Sequence, residues 1–102
     1  MTGACTAAYR VSSDWGGGFQ GEVTVRNGAS AITGWKVTWT FADGQTVAQA
    51  WNGISTQTGA SVSVRNAAYN GSLAAGASTS FGFTGTRTGA NSVPTNVSCE
   101  RA

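Results

Sequence analysis

The sequence predicts an all-β antiparallel sandwich of about eight or nine short strands in one domain. Three observations carry that expectation. Apolar residues alternate with polar ones in brief runs and nowhere recur with a helical period. Fifteen glycines stand against one proline (Pro94) and one leucine (Leu73), a composition suited to many turns and few helices. The runs are separated by Gly clusters, Asp-Gly and Asn-Gly at fairly even spacing, the punctuation of a sandwich. At 102 residues the chain can build one hydrophobic core and not two.

The elements follow in order. From Cys5 to Ser12, the residues Cys5, Ala7, Tyr9 and Val11 share a face. After Gly16-Gly17-Gly18, Phe19, Gly21, Val23 and Val25 point one way and Gln20, Glu22 and Thr24 the other. The stretch 27–34 reads as turn. Trp35, Val37, Trp39 and Phe41 then alternate inward against Lys36, Thr38 and Thr40, and Asp43-Gly44 gives a hairpin signal. The next run, Gln45 to Trp51, places Val47, Gln49 and Trp51 on one side and ends at Asn52-Gly53. Val62 with Val64, Phe81 with Phe83, and Val97 with Cys99 mark the remaining strands. This pattern suits an immunoglobulin-like or jelly-roll-like sandwich.

Charged residues are only 10% of the chain, so solubility must rest on its fourteen Thr, eleven Ser, six Asn and four Gln. The six basic residues (Arg10, Arg26, Lys36, Arg65, Arg87, Arg101) are scattered, which disfavours nucleic acid as a partner. No run approaches the length of a membrane helix. Cys5 and Cys99, near opposite ends, are expected to form a disulfide tying the terminal strands. A metal site is disfavoured because there is no His and no local Cys pair. A disulfide implies an oxidising compartment, hence a secreted, extracellular protein. No signal peptide is recognisable, so Met1 is expected to begin an excised piece, with 1–4 a linker remnant and 5–102 the domain.

The aromatics divide into two groups. Trp35, Trp39, Phe41, Phe81 and Phe83 share strand faces with valines and are expected in the core, joined by Phe19 and Tyr9. Trp15, Trp51 and Tyr69 instead sit beside turn signals: Gly16-Gly17-Gly18, Asn52-Gly53 and Asn70-Gly71. Strand ends and loops are where water reaches, so these three rings are expected on the surface as a contact face. On a chain this poor in charge, the ligand type that fits is a sugar, whose C–H faces stack on aromatics while its hydroxyls meet Asn, Gln, Ser and Thr.

The runs DWGGGFQGEVTVRN, GWKVTWTF, VAQAWN, VRNAAYNGSLAAG and FGFTGT together resemble the family 2 carbohydrate-binding modules of bacterial polysaccharide-degrading enzymes. The resemblance covers essentially the whole chain and includes the terminal cysteine pair. It implies a β-sandwich whose cellulose-binding subgroup uses three surface aromatics, at positions matching Trp15, Trp51 and Tyr69. Xylan-binding members usually carry an Arg three residues after the first Trp, which turns that ring; here the position is Gly18. The implied target is therefore crystalline cellulose, with chitin as the alternative. Polar site positions carried over by motif are Gln49, Ser13, Glu22, Ser80 and Thr84. Several of these depart from the family's usual Asn or Gln, and Tyr69 stands where Trp is common.

The resemblance further implies a monomer without cofactor, tethered to a catalytic domain. Catalysis by the chain itself is disfavoured. Glycoside hydrolysis needs two opposed carboxyl groups, and only Asp14 with Glu22 could supply them. Turn chemistry for Asp14 and a solvated strand face for Glu22 explain those residues better, and a Ser-His-Asp arrangement is excluded without His. An immunoglobulin-like protein-interaction domain is the competing class, since exposed aromatics also serve as hot spots for protein partners. Asn70-Gly71-Ser72 and Asn96-Val97-Ser98 have the form of glycosylation sequons.

Overall fold

In the computed structural model, residues 5–67, 69–89, 94 and 97–101 are described. They form eight strands: β1 (Cys5–Asp14), β2 (Gly18–Asn27), β3 (Trp35–Thr40), β4 (Thr46–Trp51), β5 (Gly53–Thr58), β6 (Ser61–Asn66), β7 (Ser78–Thr86) and β8 (Ser98–Arg101). Two four-stranded antiparallel sheets stack face to face, ordered β1-β2-β7-β4 and β5-β6-β3-β8. The expected linker at 1–4 and the sequon Asn96 lie outside the described residues.

Period-two alternation explains the core. Phe19, Val23 and Val25 of β2, Trp35, Val37 and Trp39 of β3, Val62 and Val64 of β6, and Phe81 and Phe83 of β7 are all buried. The indoles of Trp35 and Trp39 stack on Phe81 and Phe83, with ring centroids 5.5 Å apart in each pair. Fully burying each such side chain contributes roughly 1.5–3 kcal/mol. The Cys5–Cys99 disulfide joins β1 to β8, and so links the two sheets at their margins.

Two expectations need correction, and one strand lay outside them. Asp43-Gly44 does not close a hairpin, because β3 and β4 belong to different sheets. Gly44 instead adopts a positive φ of 72° where the chain crosses over, and Gln45, 1% exposed, accepts from the Asp43 amide at 2.9 Å. Val47 does not share a face with Gln49 and Trp51. A bulge between Val47 and Gln49 puts one extra residue into β4, so Val47 packs against the core while Gln49 and Trp51 face out. Finally, β5 was not anticipated. Its residues are polar apart from Ile54, which is 62% exposed, so the segment lacks the alternation that betrays a strand.

At this corner β4 and β5 are both edge strands. Gln57 covers part of their open edges, accepting from Val47 N (2.8 Å) and donating to Gln45 O (3.1 Å).

Candidate ligand-binding face

The outer face of the β1-β2-β7-β4 sheet is built from cross-strand rows. One row runs Ser13, Gln20, Thr84, Gln49; a bulge between Val11 and Ser13 brings Ser13 opposite Gln20. The next row runs Arg10, Glu22, Gly82, Trp51, and the one beyond pairs Thr24 with Ser80. The inward neighbours Phe81 and Phe83 fix which way this face points, because side chains alternate along β7.

Both tryptophans rest on glycines of this face. A Cβ at Gly82 would meet Trp51 at Cε2, Cζ2 and Nε1, all within 2.6 Å. A Cβ at Gly18 would overlap the same three atoms of Trp15. Each indole thus lies where any larger residue would put a side chain. Glycine inside a strand weakens it and marks close approach by another group, which here is the ring. Gly18 pairs with Thr86, four positions from Gly82 along β7, so the two seats are roughly 13 Å apart along the strand. The Ser13–Gln20–Thr84–Gln49 row lies between them.

The loop carrying Trp15 is closed by several bonds. Trp15 N donates to Gly18 O (3.0 Å), and Gly16 N donates to Asp14 Oδ1 (3.0 Å). Arg87 donates from Nε to Asp14 Oδ2 (2.9 Å) and from Nη2 to Asp14 Oδ1 (2.6 Å). Its backbone N reaches Gly17 O at 3.1 Å. The bond to Asp14 raises the Arg87 pKa further above its ordinary value, so the guanidinium stays charged. Gly16 and Gly17 hold φ of 71° and 136°, a conformation that other residues resist.

Tyr69 is reached from the other end of the face. Its hydroxyl donates to Asn52 Oδ1 at 2.6 Å, and Asn52 directly follows Trp51. Asn70 Nδ2 donates to Asn52 O (2.7 Å), Ala67 N donates to Asn70 Oδ1 (2.8 Å), and Trp35 Nε1 donates to Asn70 O (2.8 Å). The loop is therefore fastened to the core through a buried indole. Because the Asn70 amide is committed to these bonds, the first sequon is part of the loop's internal structure.

Trp15, Trp51 and Tyr69 are 59%, 39% and 74% exposed. Ser13, Glu22, Gln49, Ser80 and Thr84 all lie on the same sheet face, with Ser80 one row beyond the tryptophan seats. Glu22 is paired with Arg10 (2.7 Å) and Asp14 with Arg87, so both carboxylates are engaged by guanidinium groups. The sequence did not single out Gln20, Gly82, Arg10, Asn52 or Arg87. Gln20 alternates with buried Phe19, and Gly82 stands between two phenylalanines, so both carried a signal. Asn52 showed only as part of the Asn52-Gly53 turn signal and Arg87 not at all, since their partners are 17 and 73 residues away.

A family model described as "Cellulose binding domain" matches residues 5–101. The chain belongs to the cellulose-binding domain family. Among curated relatives, this cellulose-binding domain is 53% identical over 87 residues to endoglucanase A of Thermobispora bispora, a match covering 84% of the chain and 19% of that protein. The chain thus spans about a fifth of that relative's length. Among solved structures, it superimposes with a TM-score of 0.77 on the cellulose-binding family 2 carbohydrate-binding domain of ScLPMO10C, at 40% identity and with 100% of each chain covered. It matches a chitin-binding domain from Streptomyces coelicolor equally well, at TM-score 0.77 and 39% identity, covering 94% of this chain and 90% of that one.

Proposed function

We propose that this domain is a non-catalytic module that binds insoluble crystalline cellulose. In this reading it is secreted, acts as a monomer and holds a tethered polysaccharide-degrading enzyme at the polymer surface. The single observation that carries the proposal is the seating of Trp15 and Trp51 over Gly18 and Gly82 on one sheet face, with a hydroxyl- and amide-bearing row between them. Family membership and the cellulose-binding neighbour support the choice of polymer.

Physically, a sugar ring laid on an exposed indole buries apolar C–H surface, contributing roughly 1–3 kcal/mol per ring. Gln20, Gln49, Ser13 and Thr84 meet the hydroxyls that project from the ring edges. Less the cost of association, three such contacts give micromolar affinity. Tethering then raises the local concentration of the catalytic partner at the substrate.

Retention on microcrystalline cellulose tests the proposal. Wild type is expected to be depleted from solution, and the Trp15→Ala, Trp51→Ala double variant to remain in it. Equal retention of the two would refute it. Stacking is not ionic, so retention should persist at about 1 M salt, where exposed charge interactions are screened.

A further inference from the structure

Tyr69 is the most exposed of the three rings, yet its position is not left to chance. Its hydroxyl lies 2.6 Å from Asn52 Oδ1, and the backbone carbonyl of the same Asn52 takes a bond from Asn70, the residue after Tyr69. Asn52 also occupies a special point in the chain. It follows Trp51, it is where the backbone leaves one sheet for the other, and its φ is 61°. Glycine, asparagine and aspartate tolerate that conformation. Glycine would satisfy the backbone best, but only a side chain with an oxygen can accept the phenol proton.

We propose that Asn52 is a positioning residue for the ligand-binding face, fixing Tyr69 beside Trp51 and making Tyr69 a hydrogen-bond acceptor toward the polymer. This rests on the cellulose-binding reading of the face and adds a division of labour to it. With its proton directed at Asn52, the phenol oxygen has only lone pairs to offer, so this contact takes a donor hydroxyl of the polymer. The same bond removes rotamer freedom that binding would otherwise have to remove. A tryptophan at position 69 would offer more area and its Nε1–H could donate, but it has no oxygen to accept from the ligand. An oxygen that donates to Asn52 and still accepts from the ligand is what tyrosine supplies and tryptophan does not.

The test combines Tyr69→Phe, Asn52→Gly and the double variant. Tyr69→Phe keeps the stacking ring and removes the hydroxyl. Asn52→Gly keeps the left-handed backbone and removes the acceptor. Cellulose isotherms are expected to show each single variant weakened roughly threefold to tenfold, and the double variant no weaker than Tyr69→Phe. In the free protein, Asn52→Gly should shift and broaden the Tyr69 ring resonances in NMR, while the melting temperature and the Trp15 indole resonance stay put. Wild-type affinity in Tyr69→Phe, or additive losses in the double variant, would overturn the proposal. So would unchanged Tyr69 resonances in Asn52→Gly. Because the ring resonances are read without ligand, they judge the role of Asn52 even if wild type fails to bind cellulose, a result that would count against the binding reading alone.

Discussion

Arg87, just beyond β7, closes a two-pronged ion pair on Asp14, at 2.6 and 2.9 Å, directly beside the Trp15 loop. Asp14 also accepts from Gly16 N, and Arg87 N donates to Gly17 O, so one residue pair governs the bend that presents the first ring. A forked guanidinium–carboxylate contact fixes direction as well as distance, which a lysine could not do. Arg87→Met is therefore expected to fold but to hold Trp15 loosely. Cellulose affinity should fall up to about tenfold, about what one well-placed contact supplies. Isotherms for Arg87→Met and Arg87→Lys, compared with NMR line widths of the Trp15 indole, check this; a tight indole with weak binding would contradict it.

The Trp51 indole sits where a Cβ of Gly82 would be, which makes Gly82→Ala a test of ring placement rather than ring presence. A methyl there would come within 2.6 Å of three ring atoms, so the indole must lift or turn. Gly82 points outward between buried Phe81 and Phe83, so the core need not adjust. Cellulose retention should drop nearly as far as in Trp51→Ala, by about tenfold or more, which corresponds to at least ~1.4 kcal/mol. Thermal unfolding should move little, and unaltered binding would show that the seat is immaterial.

Glu22 lies in the same row as the Trp51 seat, with its carboxylate on Arg10 at 2.7 Å. An exposed pair of this kind contributes little to folding. A polymer laid over Trp51 must strip water from that carboxylate, which costs binding energy. Glu22→Gln keeps the shape and hydrogen-bonding capacity while lowering that cost. Affinity for cellulose is expected to rise several-fold, on the order of 1 kcal/mol, with unchanged stability in urea. A drop in affinity would mean that the polymer uses the charge.

The sandwich was legible because its core strands alternate: Phe19, Val23 and Val25, or Trp35, Val37 and Trp39, announce one buried face each. The exposure of Trp15, Trp51 and Tyr69 was legible because Gly and Asn-Gly neighbours place them at strand ends. Other features had no local signal. Ile54 faces water, so β5 offers no alternating pattern. The bulge between Val47 and Gln49 reverses the side on which Val47 lies, and nothing in QTVAQAW marks the extra residue. Asp43-Gly44 has the chemistry of a tight turn, and tight turns serve sheet crossovers as well as hairpins. Contacts such as Asp14 with Arg87 and Tyr69 with Asn52 arise from tertiary placement, which residue spacing does not encode.

Tyr9 is expected to contribute to the response to alkaline pH. Its ring packs edge-on against Trp39 at 5.5 Å, and its hydroxyl is buried without a hydrogen-bond partner among the described residues. Burial pushes the phenol well above its ordinary value, because the phenolate would lose its hydration. In the unfolded chain the group titrates near its reference value of about 10. The folded state thus keeps its proton where the unfolded state releases one. Stability from this group is fully present below about pH 10 and declines above it, by up to ~1.4 kcal/mol per pH unit. Tyr9→Phe removes the titration together with the orphaned hydroxyl, whose burial costs about 1–3 kcal/mol. The variant should match or exceed wild type in urea midpoint near neutrality, and its advantage should widen between about pH 10 and 11, just above the phenol's reference value. Parallel loss of stability in both proteins over that range would show that another group controls alkaline unfolding.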